Sequence, residues 1–388
     1  NYRFEYENQK YIFNTNNNGL IQINNDIFTE EEREYLRVNR FWVDDNEDEI
    51  ALLEREINHN IQKRQKELEL TIALTNYCNF SCVYCYQNKN EKLMTTEVAN
   101  MIIEKIDRIL NDNIFEGINI HYFGGEPLLN IPVLIYLDEN IKKITDKIGI
   151  VYKAFLTTNG SMLSKELLQK VKFSSIQLTF DGLEKTHDRL RVSDHFHFKE
   201  EIELIENIMN FSQAKVLLRT NICKENKDEI IALHKYIFEK FGNERIEINP
   251  NRTIKYHQDD SFEMLSVQEY AEVAYQIKLL WSEQKGKFEL PVPRSTPCKF
   301  PYGNAYAISP EGYCTFCSGS MDQEKKYFFD VDIENKKMFS VRKECKKCNI
   351  LPLCLGGCII QYNLRAGACT YEKYELKNIL ISYIKHIS

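Results

Sequence analysis

The chain has 388 residues, 43% of them hydrophobic and 28% charged, a globular composition that suits one large catalytic domain with one or two appendages. No stretch approaches the roughly 18 uninterrupted apolar residues of a membrane span, and a net charge of −7 lacks the footprint of a phosphate-backbone binder. Neither membrane nor nucleic acid is expected as a partner. The start, Asn1 to Lys10, is polar and charged, so the twelve cysteines are read in a reducing cytoplasm, where thiols serve metals or catalysis before disulfides.

Residues 1–68 hold nine basic and fifteen acidic side chains, nearly all of the net charge. Within them, Tyr11-Ile-Phe-Asn and Leu20-Ile-Gln-Ile flank an Asn-rich tip ending Asn18-Gly19, which predicts a β-hairpin because Asn and Gly tolerate positive φ. A short helix is predicted from Thr29 to Val38, and helical periodicity runs from Ile50 to Leu68. From residue 69 short β-rich runs alternate with longer amphipathic stretches. The predicted strands are Leu70–Leu74, Ile118–Phe123, Tyr152–Thr157, Ile176–Phe180, Lys215–Thr220 and Arg245–Asn249. The predicted helices between and after them are Thr96–Leu110, Ile131–Ile148, Lys165–Val171, Lys199–Phe211, Glu225–Phe241 and Val267–Gln284.

Six β-α repeats imply an α/β fold with a parallel sheet, too few for a closed eight-stranded barrel, so a partial, open barrel is expected. Pro291, Pro293, Pro297 and Pro301 mark a boundary near residue 286. Beyond it lie eight of the twelve cysteines, the composition of a metal-organised region with little core of its own. Three segments follow: 1–68, 69–285 and 286–388.

The sharpest motif follows the first of the six strands: Cys78-Asn-Phe-Ser-Cys82-Val-Tyr-Cys85. Three thiolates in one loop hold three irons of a 4Fe-4S cluster and leave one iron for another ligand, since a protein-saturated cluster takes four cysteines. A zinc site with a distant fourth ligand is the structural alternative. This loop resembles that of the radical S-adenosylmethionine (SAM) enzymes, whose Cys-x3-Cys-x2-Cys signature carries an aromatic before the last cysteine and follows the first strand of a partial (βα)6 barrel. The resemblance implies that Cys78, Cys82 and Cys85 hold the cluster, that SAM chelates its open iron, and that an external reductant such as flavodoxin or ferredoxin feeds it. It also implies a hydrogen-abstracting 5′-deoxyadenosyl radical. Tyr84 becomes a candidate to stack on the adenine.

At the end of the second strand, Gly124-Gly125-Glu126-Pro127 pairs glycines that permit close backbone approach with a carboxylate able to accept from an ammonium. The resemblance makes Gly124, Gly125 and Glu126 a site for the SAM amino group. It makes Asn159 and Thr179, at the ends of the third and fourth strands, candidate SAM-pocket residues. Arg219 and Asn221 on the fifth become partners of the SAM carboxylate or ribose.

The C-terminal run Cys298, Cys317, Cys345, Cys348, Cys354, Cys358 and Cys369 resembles the SPASM extension of radical SAM enzymes, which carries two auxiliary 4Fe-4S clusters, three clusters in all. The resemblance assigns Cys345, Cys348, Cys354 and Cys369 to the distal auxiliary cluster. It assigns Cys298, Cys317 and Cys358 to the nearer one, with Cys314 as a candidate fourth ligand. A zinc ribbon from Cys314, Cys317, Cys345 and Cys348 is the alternative. The group mostly modifies peptides, so the substrate implied is a ribosomally made precursor peptide that acquires a thioether or other crosslink. Anaerobic sulfatase maturases are the second branch. They typically place an aspartate base after the cysteine corresponding to Cys317, where this chain has Ser318, and a serine is no unaided base at neutral pH. A non-enzymatic Fe-S or zinc scaffold is the third possibility.

Overall fold

The structure is a computed structural model that describes residues 1–23, 28–112, 115–242, 245–255, 261–315, 317–320, 326–331, 338–358 and 369–387. The chain divides into two compact units, one of Asn1–Gln62, Ser266–Cys298 and Lys337–Ser388, the other of Lys63–Leu265 and Lys299–Lys336. No helix among the described residues is long and apolar enough to cross a membrane.

In the first unit, β1 (Tyr2–Tyr6), β2 (Gln9–Phe13) and β3 (Leu20–Ile23) form an antiparallel sheet. The β2–β3 hairpin matches the expected one, closing at Phe13↔Leu20 with Asn18 at φ 58°. The polar start was not expected to form a strand. Phe4 nevertheless stacks on Tyr11 across the β1–β2 ladder, with ring centroids 5.3 Å apart. The helix Glu30–Val38 begins where Thr29 and Glu32 close a reciprocal capping box. Two further helices, Glu49–Arg64 and Val267–Lys285, lie in this unit, and the second stops at Gly286, which takes the left-handed conformation.

The C-terminal helix Glu372–Ile387 was not read from the sequence. It supplies Leu376, Leu380 and Ile384 to a core with Phe4, Tyr11, Phe13, Ile350 and Leu353. The cysteine-rich segment 286–388 therefore shares a hydrophobic core, where little core of its own was expected. Its apolar residues are scattered along the sequence and are gathered only by packing.

The second unit carries six parallel strands in sequential order: β4 (Glu67–Ala73), β5 (Gly117–Phe123), β6 (Val151–Thr157), β7 (Phe173–Thr179), β8 (Lys215–Ile222) and β9 (Ile246–Arg252). This is the expected α/β array. Ile118, Ile120 and Tyr122 on β5 are fully buried, while the alternate residues Asn119, His121 and Phe123 are half-buried. Tyr122 Oη lies 3.2 Å from Tyr152 Oη, which donates to Asp138 on the helix Ile131–Ile148, so this set faces the helical layer. The other set lines the inner face of the array.

The two largest shifts of predicted boundaries are at helix ends. Helical periodicity through Leu68 gives way at Arg64, because Glu67 onward is drawn into parallel pairing with Gly117–Phe123. The helix expected from Glu225 starts at Ile230. Asn226 holds the preceding loop out of it, accepting from Cys223 N–H and donating to the carbonyls of Asp181 and Asn221. Beyond the six repeats, β10 (Ala305–Ile308) adds in parallel to the outer edge of β4, and β11 (Tyr313–Thr315) and β12 (Lys326–Tyr327) follow antiparallel, making a nine-stranded sheet.

Candidate active site at the carboxyl ends of the parallel strands

The cysteine loop leaves β4 and is pinned on two sides by main-chain bonds. On one side Gly125 N–H donates to Thr75 O (2.8 Å) and Glu126 N–H to Tyr77 O (2.9 Å). On the other, Ser81 N–H donates to Val192 O and Val83 N–H to Leu190 O. These contacts also bear on the glycines. A Cβ on Gly125 would stand 2.2 Å from Tyr77 O, and one on Gly124 2.5 Å from Thr75 O. The glycine pair thus permits close approach to the protein's own loop, clamping it against the end of β5.

Glu126 is fully buried. Its Oε1 accepts from Leu128 N–H (2.9 Å) and Thr158 Oγ1–H (2.6 Å), and its Oε2 from Asn159 N–H (2.7 Å). Burial raises its pKa and these bonds oppose the rise. A carboxylate offers about four acceptor sites. Three are taken, and one remains for a ligand cation. We therefore expect Glu126→Gln to act twice: it weakens any ammonium contact, and it leaves at least one buried N–H facing an NH2 group, costing about 1–3 kcal/mol. A fall in melting temperature accompanying a loss of SAM affinity checks this; an unchanged melting temperature would remove the three-bond reading.

The side chain of Asn159 donates to Asn79 Oδ1 (2.8 Å) and lies 3.9 Å from Cys78 Sγ, while Phe80 N–H points at the same sulfur from 3.4 Å. Opposite this group, Tyr84 Oη donates to Asp181 Oδ2, and Asp181 Oδ1 accepts from Asn221 N–H (2.7 Å). Asn221 Oδ1 in turn accepts from Arg219 Nε (2.9 Å), and Arg219 pairs with Thr179 across the β7–β8 ladder. Tyr84 meets Phe262 edge-on, and its phenol is pushed well above the usual range by burial and then by Asp181. The fold thus gathers Cys78, Asn159 and Glu126 on one flank of the loop and Tyr84, Arg219 and Asn221 on the other, with Thr179 in register beside Arg219.

Two participants were not assigned from sequence. Asp181, two residues beyond Thr179, carried no expected role. Arg191 closes a short helix, Glu184–Leu190, that was also missed. Its guanidinium is buried, lies 5.3 Å from the Phe80 ring, and carries its charge to Cys82, Tyr84, Glu201 and Asp181. Nothing local in the sequence distinguishes it from the exposed Arg189 two residues earlier.

Burial pushes the Cys82 thiol up to about 11 against the pull of Arg191, and Cys78 and Cys85 add their charges. Among the described residues no three His, Cys, Asp or Glu side chains converge on the position of a single metal ion. The three thiols lie within reach of one another's charge in one loop, and each thiolate of a 4Fe-4S cluster takes a different iron. Cys314, buried on β11, and Cys317, whose Sγ accepts from Gly319 N–H (3.3 Å), belong to this same unit. Ser318 beside it offers its carbonyl to Tyr86 Oη at 3.4 Å. The other unit holds Cys345 next to Cys348 and Cys354 next to Cys369, besides the exposed Cys298 and Cys358. Cys223 is a buried thiol packed near Leu190 and Phe262.

Residues 72–237 match the Radical SAM superfamily. The chain carries a radical SAM domain, the domain of an enzyme superfamily whose chemistry implies a 4Fe-4S cluster and SAM. It is 24% identical over 372 residues to the radical SAM cyclopropyl synthase TigE of Paramaledivibacter caminithermalis, covering 84% of this chain and 76% of that one. Other relatives match over shorter lengths, the chain spanning 39% of one and 53% of another. Among solved structures, native anSMEcpe with bound AdoMet and Cp18Cys peptide is similar at 19% identity and a TM-score of 0.62, covering 83% of this chain and 98% of that one. SuiB of Streptococcus suis bound to its precursor peptide SuiA is similar at 17% identity and a TM-score of 0.55, covering 86% and 84%. Both likenesses show the fold.

Proposed function

We propose that this protein is a radical SAM maturase that abstracts a hydrogen atom from a ribosomally made peptide and joins the resulting carbon radical to a second group, with a thioether as the leading product. The observation that carries the proposal is the three-cysteine loop at the carboxyl ends of the parallel strands, flanked by Glu126 with one acceptor site open. Neighbours that hold peptides, SuiB with SuiA and anSMEcpe with Cp18Cys, support a peptide substrate.

The cluster held by Cys78, Cys82 and Cys85 supplies, when bound, the electron that splits SAM into methionine and the radical. The chain's own residues position the reactants: Glu126 holds the ammonium of SAM, and Asn159, Thr179, Arg219 and Asn221 line its pocket. Joining a carbon to a thiol releases one proton and one electron, and the eight C-terminal cysteines would hold two auxiliary clusters able to accept that electron. An external one-electron donor such as flavodoxin or ferredoxin feeds the first step.

Each link removes two hydrogens, so the modified peptide should be about 2 Da lighter and, for a thioether, one thiol should no longer alkylate. Mass spectrometry of a precursor encoded beside this chain and coexpressed with it reads both. A 2 Da loss with every thiol still reactive would favour a carbon–carbon bond, as the similarity to a cyclopropyl synthase suggests. Conversion of a sulfatase cysteine or serine to formylglycine, with the precursor untouched, would select the other branch.

A further inference from the structure

The inner face of the parallel array carries a row of neutral polar side chains running across four strands. Asn251 Nδ2 donates to Asn249 Oδ1 (2.8 Å), Asn249 Nδ2 to Gln177 Oε1 (3.2 Å), and Gln177 Nε2 to Thr157 Oγ1 (3.4 Å). Thr157 Oγ1 then meets His121 Nε2 at 2.7 Å. Asn249 and Gln177 each donate toward β5, so each bond polarises the next. Thr157 Oγ1, with one lone pair taken by Gln177, can still either donate its hydrogen to His121 Nε2 or accept from it. In the first case Nδ1 is the ring's donor, and in the second its acceptor. Among the described residues Nδ1 has no hydrogen-bond partner.

We propose that this row is a substrate subsite, in which His121 Nδ1 hydrogen-bonds to a main-chain amide group of the bound peptide and so fixes its position on the inner face of the array. The inference rests on the peptide-maturase reading and names how the peptide is held. His121, Thr157, Gln177, Asn249 and Asn251 are all half-buried, whereas their outward-facing neighbours Ile120, Tyr122, Leu156, Ile176 and Leu178 are fully or almost fully buried. The row is therefore open on the side where the neighbours are closed. Its chemistry is uncharged throughout, which suits an amide better than a carboxylate or an ammonium. Burial pushes His121 down to about 4, with Lys299 adding to the shift, so the imidazole stays neutral at physiological pH and one ring nitrogen is kept for the peptide. Phe155 and Phe123 flank the ring at 6.5 and 6.1 Å between centroids and hold it on this face. Loss of the one hydrogen bond should cost about tenfold in half-saturation.

The test uses reconstituted, reduced full-length protein with SAM and, as probe, an equimolar library of capped hexapeptides centred on cysteine, read as peptide-stimulated 5′-deoxyadenosine formation. His121→Phe should raise the half-maximal library concentration about tenfold while the maximal rate changes less. His121→Asn, whose amide reaches near the position of Nδ1 and can donate or accept, should return it to within about threefold of the original, and His121→Gln, whose amide reaches toward Nε2, should not. The subsite is rejected if His121→Phe leaves the half-maximal concentration within twofold, if Gln rescues as well as Asn, if SAM affinity is lost in parallel, or if the library does not stimulate the unmodified enzyme. SAM cleavage without the library keeps the two readings apart. Its absence would reject the radical SAM maturase, whereas normal cleavage with an unshifted half-maximal concentration rejects only the subsite.

Discussion

Replacing Cys78, Cys82 and Cys85 together by alanine should remove about four irons from a reconstituted total of about twelve and abolish 5′-deoxyadenosine formation. The loop is bound to its surroundings through main-chain groups of Ser81 and Val83, and through the two main-chain groups that receive Gly125 and Glu126 N–H. None of these contacts uses a cysteine side chain. The substitution therefore removes the thiolates and leaves the clamp, so the protein should still fold and keep the iron associated with its eight C-terminal cysteines. Iron analysis and anaerobic absorption before and after substitution give the count. A starting content near four irons with zinc present would reject the auxiliary clusters, and persistent SAM cleavage in the triple variant would reject the loop as the cluster's seat.

Arg191→Ala is expected to be the most damaging single change in the barrel unit. Its guanidinium is the cation nearest in effect to Asp181, whose carboxylate is fully buried, and it acts also on Glu201, fully buried with neither oxygen in a hydrogen bond. Glu201 Oε2 has His187 Nε2 at 3.1 Å as its close neighbour. Removing the guanidinium withdraws a nearby positive charge from two buried carboxylates, which destabilises the fold. It also bares the Phe80 ring in the middle of the cysteine loop. We expect a large fall in melting temperature together with poor cluster retention, a smaller fall for Arg191→Lys, which keeps the charge without the planar fork, and partial recovery when Glu201→Gln is added to Arg191→Ala. If Arg191→Ala melts with the unmodified protein, the carboxylates are balanced by something else. A double variant no better than the single one would show that Glu201 is not among the groups it serves.

The β-α alternation was legible because it is written in local periodicity. The helix Ile131–Ile148 was bounded to the residue, and Lys165–Lys170 and Phe198–Phe211 to within one. Thr29 announced its helix because capping uses side chains three residues apart, and Asn18-Gly19 announced its turn because positive φ is a property of those residues themselves. The three-cysteine loop and the Gly-Gly-Glu turn were legible for a different reason. The cysteine spacing and its place after the first strand resemble those of radical SAM enzymes, and the turn drew its meaning from that resemblance.

What the sequence could not disclose is whatever depends on a partner far along the chain. The strand Ala305–Ile308 reads as four apolar residues after a proline-rich boundary, and only its pairing with Glu69–Ile72 turns it into an extension of the sheet. The contact of the glycine pair with Thr75 and Tyr77 was hidden, because the atoms a Cβ would strike come from a segment about fifty residues away. Glu126 was legible as an acceptor but not as one already three-quarters engaged, since two of its three donors come from Thr158 and Asn159 beyond the next strand. Arg191 and Arg189 are alike in sequence, and burial alone makes one a charge that must be balanced, because the cost of an ion depends on the water it loses and that is set by tertiary packing.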